Sequence, residues 1–178
     1  MTSRVTGGWR GTVQDLRAAC RLTTVLALTM LALVRCDQST PTEPERRLTP
    51  DFILVDLSGQ EFQLSKEAGK VVILNFFLTT CSTCQSEIPG LIAAHNEYKD
   101  KGLVVVGIAL DPSKLAAFGE EFGIPYRLLS DNGVVSVAYG VIQSVPVTVT
   151  IDRDGWIVGE YERYISDEEL ISIIDGLL

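Results

Sequence analysis

The chain has 178 residues, 46% of them apolar, which is enough for one globular domain with a core and excludes wholesale disorder. Its formal net charge is −8, unevenly spread: residues 1–35 hold five of the 15 Lys and Arg but one of the 23 Asp and Glu, leaving ten basic and twenty-two acidic residues beyond. So acidic a body excludes nucleic acid as a partner and disfavours docking of that body on an anionic membrane, because both need a basic surface.

Arg17 and Arg21 precede an apolar run, Leu22 to Val34, interrupted by Thr23, Thr24 and Thr29. The run falls short of the ~20 residues that cross a bilayer as a helix. It matches the central segment of a secretory leader instead. Residues 1–36 are therefore expected to be a signal peptide, a lipoprotein-type leader or a membrane anchor. Leu33-Val34-Arg35-Cys36 resembles a bacterial lipoprotein box, with Cys36 as the lipidation candidate, although Arg35 stands where that box has a small residue. Lipidation, an uncleaved anchor and a released form stay open. The first two tether the N-terminus to the outer, periplasmic face of the cytoplasmic membrane. Residues 37–49 are polar, contain Pro41 and Pro44, and read as a flexible linker.

The folded part is expected over residues 50–178. Phe52–Asp56 and Glu61–Leu64 flank Ser58-Gly59 and predict a β-hairpin. Val71–Phe77 and Leu103–Leu110 are continuous apolar runs, the pattern of strands buried on both faces. Between them, Ile88, Leu91, Ile92 and Tyr98 recur at helical spacing, and Gly102 marks the stop. Leu115, Phe118 and Phe122 predict a second helix, Tyr126–Leu129 a strand, and Val134–Tyr139 a short helix. Two strands, Val147–Ile151 and Trp156–Tyr161, enclose the turn Asp152-Arg153-Asp154-Gly155. In the closing helix Ser166 stands at the cap, Glu169 completes a capping box, and Leu170, Ile173, Ile174 and Leu177 form one apolar face. The class is α/β: a central mixed β-sheet flanked by helices.

Of the four cysteines, Cys20 and Cys36 fall in the leader, and Cys81 and Cys84 lie three residues apart in the folded part. A bridge closing so short a loop restrains little of the unfolded chain, so chemistry is the better reading. Cys81-Ser82-Thr83-Cys84 follows a buried strand and opens a helix. Unpaired N–H groups and the helix dipole there stabilise a thiolate, the attacking species in disulfide exchange. Cys84 is close enough to attack a mixed disulfide on Cys81. Half of a zinc site would need two further ligands; His95 and at most one tether cysteine are present, so no metal and no cofactor is expected.

The stretch GKVVILNFFLTTCSTCQSEIP, with YKDKGLVVVGIALD and then YGV…VP…IDRDGWIVG downstream, resembles the TlpA/ResA-type thioredoxin-like proteins, which are membrane-tethered thiol–disulfide oxidoreductases. The resemblance covers residues 50–178. It implies a thioredoxin-like fold with an N-terminal β-hairpin extension and a helix/strand insertion. It makes Cys81 and Cys84 the redox disulfide, Cys81 attacking and Cys84 resolving. Glu87, three residues after Cys84, would sit on the same helix face and accept or return the Cys84 proton. Asn75 stands where thioredoxin has a buried Asp and cannot carry that proton. Pro89 matches the family's helix proline. Val145 and Pro146 match the cis-proline loop that presents backbone to an extended substrate segment. The usual Trp before the first cysteine is Thr80 here, a change at the surface where partners dock.

The function expected is extracytoplasmic reduction of disulfides in protein substrates, of the cytochrome c maturation type, by a monomer kept reduced through a membrane electron donor. Two rivals share the fold. A thiol peroxidase would need Thr and Pro where Leu78 and Leu74 stand. A copper-binding metallochaperone would use the two thiolates as soft ligands.

Overall fold

A computed structural model describes residues 47–131, 133–141 and 144–178. The leader, Cys36 and the linker up to residue 46 lie outside the described residues.

Val71–Phe77 forms strand β4, and all seven of its residues are buried. A run of Val, Ile, Leu and Phe without alternation has no face to give to water, so the strand takes the centre of the sheet. Leu103–Ala109 (β5) runs parallel beside it, with Val71 opposite Leu103 and Phe77 opposite Ala109. Arg127–Ser130 (β6) adds a third parallel strand at that edge. On the other side Val147–Ile151 (β7) pairs antiparallel with β4, and Trp156–Tyr161 (β8) pairs antiparallel with β7. Arg47–Leu48 (β1) closes this edge against Ile157 and Trp156, so residues expected in the linker are part of the sheet. The order is β1-β8-β7-β4-β5-β6. Ile53–Val55 (β2) and Glu61–Gln63 (β3) make the expected hairpin, a separate two-stranded sheet.

Alternate residues of β4 face two cores. Val71, Ile73 and Phe77 pack with the long helix α1 (Ser82–Tyr98), with α2 (Leu115–Glu121) and with the closing helix α4 (Asp167–Leu177). Val72, Leu74 and Phe76 face the hairpin residues Leu54 and Phe62 and the short helix α3 (Val134–Ala138), which contributes Val135. Asn75 keeps the first register, so a polar group stands on the α1 side of a central strand, 1% exposed.

The expected helix ends hold, with one difference. Gly102 stops the first helical segment at φ +100°, after a 3₁₀ turn over Lys99–Lys101. Ser166 caps α4 by accepting the Glu169 N–H at 3.3 Å. The Glu169 carboxylate binds Arg163 at 2.6 and 2.9 Å in a two-point ion pair, which takes it away from a reciprocal capping box.

Candidate active site

β4 delivers the chain to Leu78-Thr79-Thr80 at the carboxyl end of the sheet, and several bonds fix this loop. The Thr79 N–H and hydroxyl donate to the two Asp111 carboxylate oxygens at 2.7 and 2.6 Å. Gln85 Nε2 donates to the Thr79 carbonyl at 2.9 Å, and the Cys81 N–H donates to the Leu78 carbonyl at 3.1 Å. The loop thus hands Cys81 to the helix in one defined pose.

Cys81 is the cap of α1, with φ −84° and ψ 110°. Its Sγ accepts the Cys84 N–H at 3.1 Å, so the sulfur occupies the place of a capping oxygen and takes one of the helix's unpaired donors. The two cysteines form a disulfide, Cα to Cα 5.3 Å. Their surroundings differ. Cys81 is half-exposed, whereas Cys84 has no exposure and belongs to the α1-side core.

Glu87 lies one turn further along α1 and is 4% exposed. It is not a first-turn surface acid, because that turn holds no acidic residue. One carboxylate oxygen accepts the Ile165 N–H at 2.8 Å and the other accepts Asn75 Nδ2 at 3.1 Å. Asn75 Nδ2 also donates to Thr148 Oγ1 at 3.0 Å. Burial raises the Glu87 carboxyl above the ordinary carboxylate range, and these two hydrogen bonds draw it partly back. The amide at position 75 cannot take up a proton; it tethers the carboxyl that can.

The Val145–Pro146 peptide is cis, as the resemblance implied. Pro146 is buried, Ser144 exposed, and Val145 half-buried against the same core that Cys81 touches. β7 begins at the next residue, so a single strand carries both this loop and Thr148. Cys81, Cys84 and Glu87 thus share one helix and its cap, and Cys81 and Val145 pack against the same core.

His95 is set apart on α1, half-buried, its ring 6.0 Å from that of Tyr126. Burial, with the Lys99 charge, lowers its pKa, and its buried Nδ1 has no hydrogen-bond partner among the described residues. Among the described residues no group of three or more His, Cys, Asp or Glu converges as a metal would need. Asp111, Gln85, Thr148 and the Ile165 N–H escaped the sequence reading. Asp111 meets its partner across 32 residues and Ile165 across 78, and no local pattern marks such pairs.

Residues 46–159 match the AhpC/TSA family. The chain belongs to that family. Within it the chain is a ResA-like thiol–disulfide oxidoreductase of thioredoxin-like fold. It is 31% identical over 124 residues to the thiol-disulfide oxidoreductase ResA of Bacillus thuringiensis, covering 68% of this chain and 71% of that one. With ResA of Geobacillus kaustophilus the identity is 37% over 109 residues, 60% of this chain and 62% of the other. Among solved structures, a thioredoxin-family thiol:disulfide interchange protein of Chlorobium tepidum superposes with TM-score 0.70 at 26% identity, over 74% of this chain and 96% of that one. A secreted Mycobacterium tuberculosis disulfide oxidoreductase homologous to E. coli DsbE gives TM-score 0.64 at 26% identity, over 71% and 96%. The oxidoreductase shares with these relatives a fold and an activity class.

Proposed function

We propose that this oxidoreductase reduces disulfides of protein substrates outside the cytoplasm, with Cys81 as nucleophile, Cys84 as resolving thiol and Glu87 as the group that takes the Cys84 proton. The observation that carries this reading is the asymmetry of the pair: a partly exposed cysteine caps a helix with its sulfur, while its partner is fully buried one turn from a buried carboxyl.

Four steps follow. In the reduced protein the Cys81 thiolate, stabilised by the Cys84 N–H and the helix dipole, attacks a substrate sulfur. The substrate S–S bond breaks, a mixed disulfide forms on Cys81, and one substrate thiolate leaves and is protonated. Glu87 then takes the proton of Cys84, and the Cys84 thiolate attacks the Cys81 sulfur. The second substrate thiol is released, the substrate has gained two electrons and two protons, and Cys81–Cys84 is oxidised. The Val145 backbone, ahead of the cis Pro146, aligns the substrate segment as a strand edge does.

Return to the dithiol needs a membrane electron donor of thiol-reducing type, and the cytochrome c maturation role rests on analogy with ResA-type proteins. The organisation proposed is a leader or anchor over residues 1–36, a linker from 37, a thioredoxin-like domain to 178, tethering through the N-terminus with Cys36 as the lipidation candidate, and a monomer. No helix among the described residues is long and apolar enough to cross a membrane; the proposed tether belongs to the leader.

A redox titration of the full-length chain tests the chemistry: equilibrate in dithiothreitol and glutathione buffers, then count free thiols by alkylation and mass. A reversible two-electron couple near about −270 mV marks a reductant and one near about −120 mV an oxidant. No reversible couple sinks the exchange reading and brings thiolate copper binding forward. Location is tested separately: a membrane-impermeant maleimide should label reduced Cys81 in intact spheroplasts.

A further inference from the structure

Glu87 raises a question that its own contacts do not answer. Both carboxylate oxygens face N–H donors, Ile165 N and Asn75 Nδ2. Neither donor can receive the proton that Glu87 takes from Cys84, so a path for that proton to solvent runs through another group.

A cavity of about 10 Å³ touches Glu87, walled by Leu91 and Leu170 and lined otherwise by Thr148, Ile165 and Asp167. That volume holds about one water, which needs two to four polar partners. Thr148 provides one: its hydroxyl accepts from Asn75 and keeps its own hydrogen, which reaches no protein acceptor among the described residues. The Glu87 carboxyl provides a second, and Asp167, exposed at the first position of α4, provides a third. Gly90 brings Asp167 in. It follows Glu87 by three residues on α1, and a Cβ added there would lie 2.2 Å from the Asp167 Oδ1. Only a glycine leaves the carboxylate that place on the helix face beside Glu87.

We propose that one water in this cavity passes the proton between the Glu87 carboxyl and Asp167 at the surface, so that Asp167 is the outer station of the site's proton exit. Asp167 acts through the water and Glu87, not on sulfur. The groups facing Glu87 are Cys84 on its own helix, Asn75 on β4, Thr148 on β7, the Ile165 N–H, Asp167 on α4, and Tyr126 just before β6, whose hydroxyl feels the Glu87 charge. Of these, Asp167 is the exposed carboxylate, and it joins the buried site to solvent. The inference rests on the exchange chemistry proposed above.

The test uses the reduced full-length chain with glutathione disulfide, following resolution of the Cys81 mixed disulfide by quenched-flow alkylation and mass. Asp167→Asn keeps the shape and removes the acceptor. At pH 7 it should slow resolution by about three- to tenfold, part of the ~10²-fold or more that a whole general base supplies, and enlarge the solvent deuterium isotope effect. Asp167→Glu should return the rate to within about twofold of wild type. Gly90→Ala is the second variant. It pushes the carboxylate aside while gaining about 1 kcal/mol of helix propensity, so the fold is kept, and it should slow resolution as Asn does. Unchanged rate and isotope effect in Asp167→Asn overturn the proposal, as does equal slowing in the Asn and Glu variants with no change in isotope effect. If Asp167→Asn does not fold, unchanged resolution in Gly90→Ala overturns it. Wild type that does not react with glutathione disulfide counts against the exchange reading and takes this inference with it. Active wild type with unaltered variants removes only the proton exit.

Discussion

A carboxyl buried with two donors suits the proton transfer proposed for Glu87, because it is neither strongly acidic nor unpaired. Burial alone penalises the charge of Glu87; the Ile165 N–H and the Asn75 amide offset part of that penalty, leaving a raised pKa. The sign for stability follows. Between the unfolded carboxyl value, about 4.5, and the higher folded value, the unfolded state releases a proton that the folded state keeps, so stability falls as pH rises through that window. Glu87→Gln should flatten this slope in urea titrations between acid and neutral pH. It should also slow thiol exchange at neutral pH with the fold intact; unchanged reactivity across the pH range would remove Glu87 from the mechanism. Asp111 acts differently, by fixing Thr79 two residues before Cys81. Asp111→Ala leaves the Thr79 N–H and hydroxyl without their acceptor. A cost of about 1–3 kcal/mol in urea unfolding is expected, together with slower alkylation of reduced Cys81, since the loop loses its pose.

At the scale of elements, the two best-capped helices use their caps for different ends. Cys81 caps α1 with sulfur, which in the proposed exchange favours its thiolate, while Ser166 caps α4 with a hydroxyl and gains order. The relative worth of the contacts at the start of α4 can be ranked. Ser166→Ala should cost about 1 kcal/mol. Arg163→Ala, which breaks an ion pair between exposed side chains that solvent screens, should cost the least of the three. Ile174→Ala, at a position with no exposure, should cost about 2–5 kcal/mol. Urea midpoints of the three variants test that order, and an Arg163→Ala loss exceeding that of Ile174→Ala would refute it. α4 matters to the site because Ile165, just before it, supplies the N–H to Glu87. Loosening of α4 should therefore lower thiol reactivity as well as stability.

Across the whole molecule, the sheet separates two cores and brings the chemistry to one end. β4 leads into the cysteines, β7 begins after Pro146, and β5 leads to Asp111. At the opposite end Arg153 donates to the carbonyls of Gly69, Lys101 and Leu178 at 3.2, 3.4 and 3.1 Å, tying three segments together away from the thiols. Beyond residue 35 the chain holds ten basic and twenty-two acidic residues, so the field around the folded body is negative. A Lys-flanked cystine peptide should be reduced faster than a Glu-flanked one at low salt, with the difference lost near ~1 M salt, where the screening length is about 3 Å. Equal rates at low salt would show that the field does not reach the thiols.

Much of this could be read from the chain alone, for a physical reason. Val71–Phe77 had to be a central strand because no face of it tolerates water. Cys81 and Cys84 had to share a helix start because a strand ran in and helical spacing ran out, and the Asp152–Gly155 turn carried its own local chemistry. Those signals are periodicity, capping and turn propensity, each expressed within a few neighbours. What only the tertiary structure decided was pairing over distance: Arg47 and Leu48 joining the sheet, Glu169 turning to Arg163, Asp111 clamping Thr79, and Ile165 and Asn75 converging on Glu87. Such contacts depend on where packing places elements that are far apart in the chain, and a carboxylate has the same sequence signature on a surface as in a core.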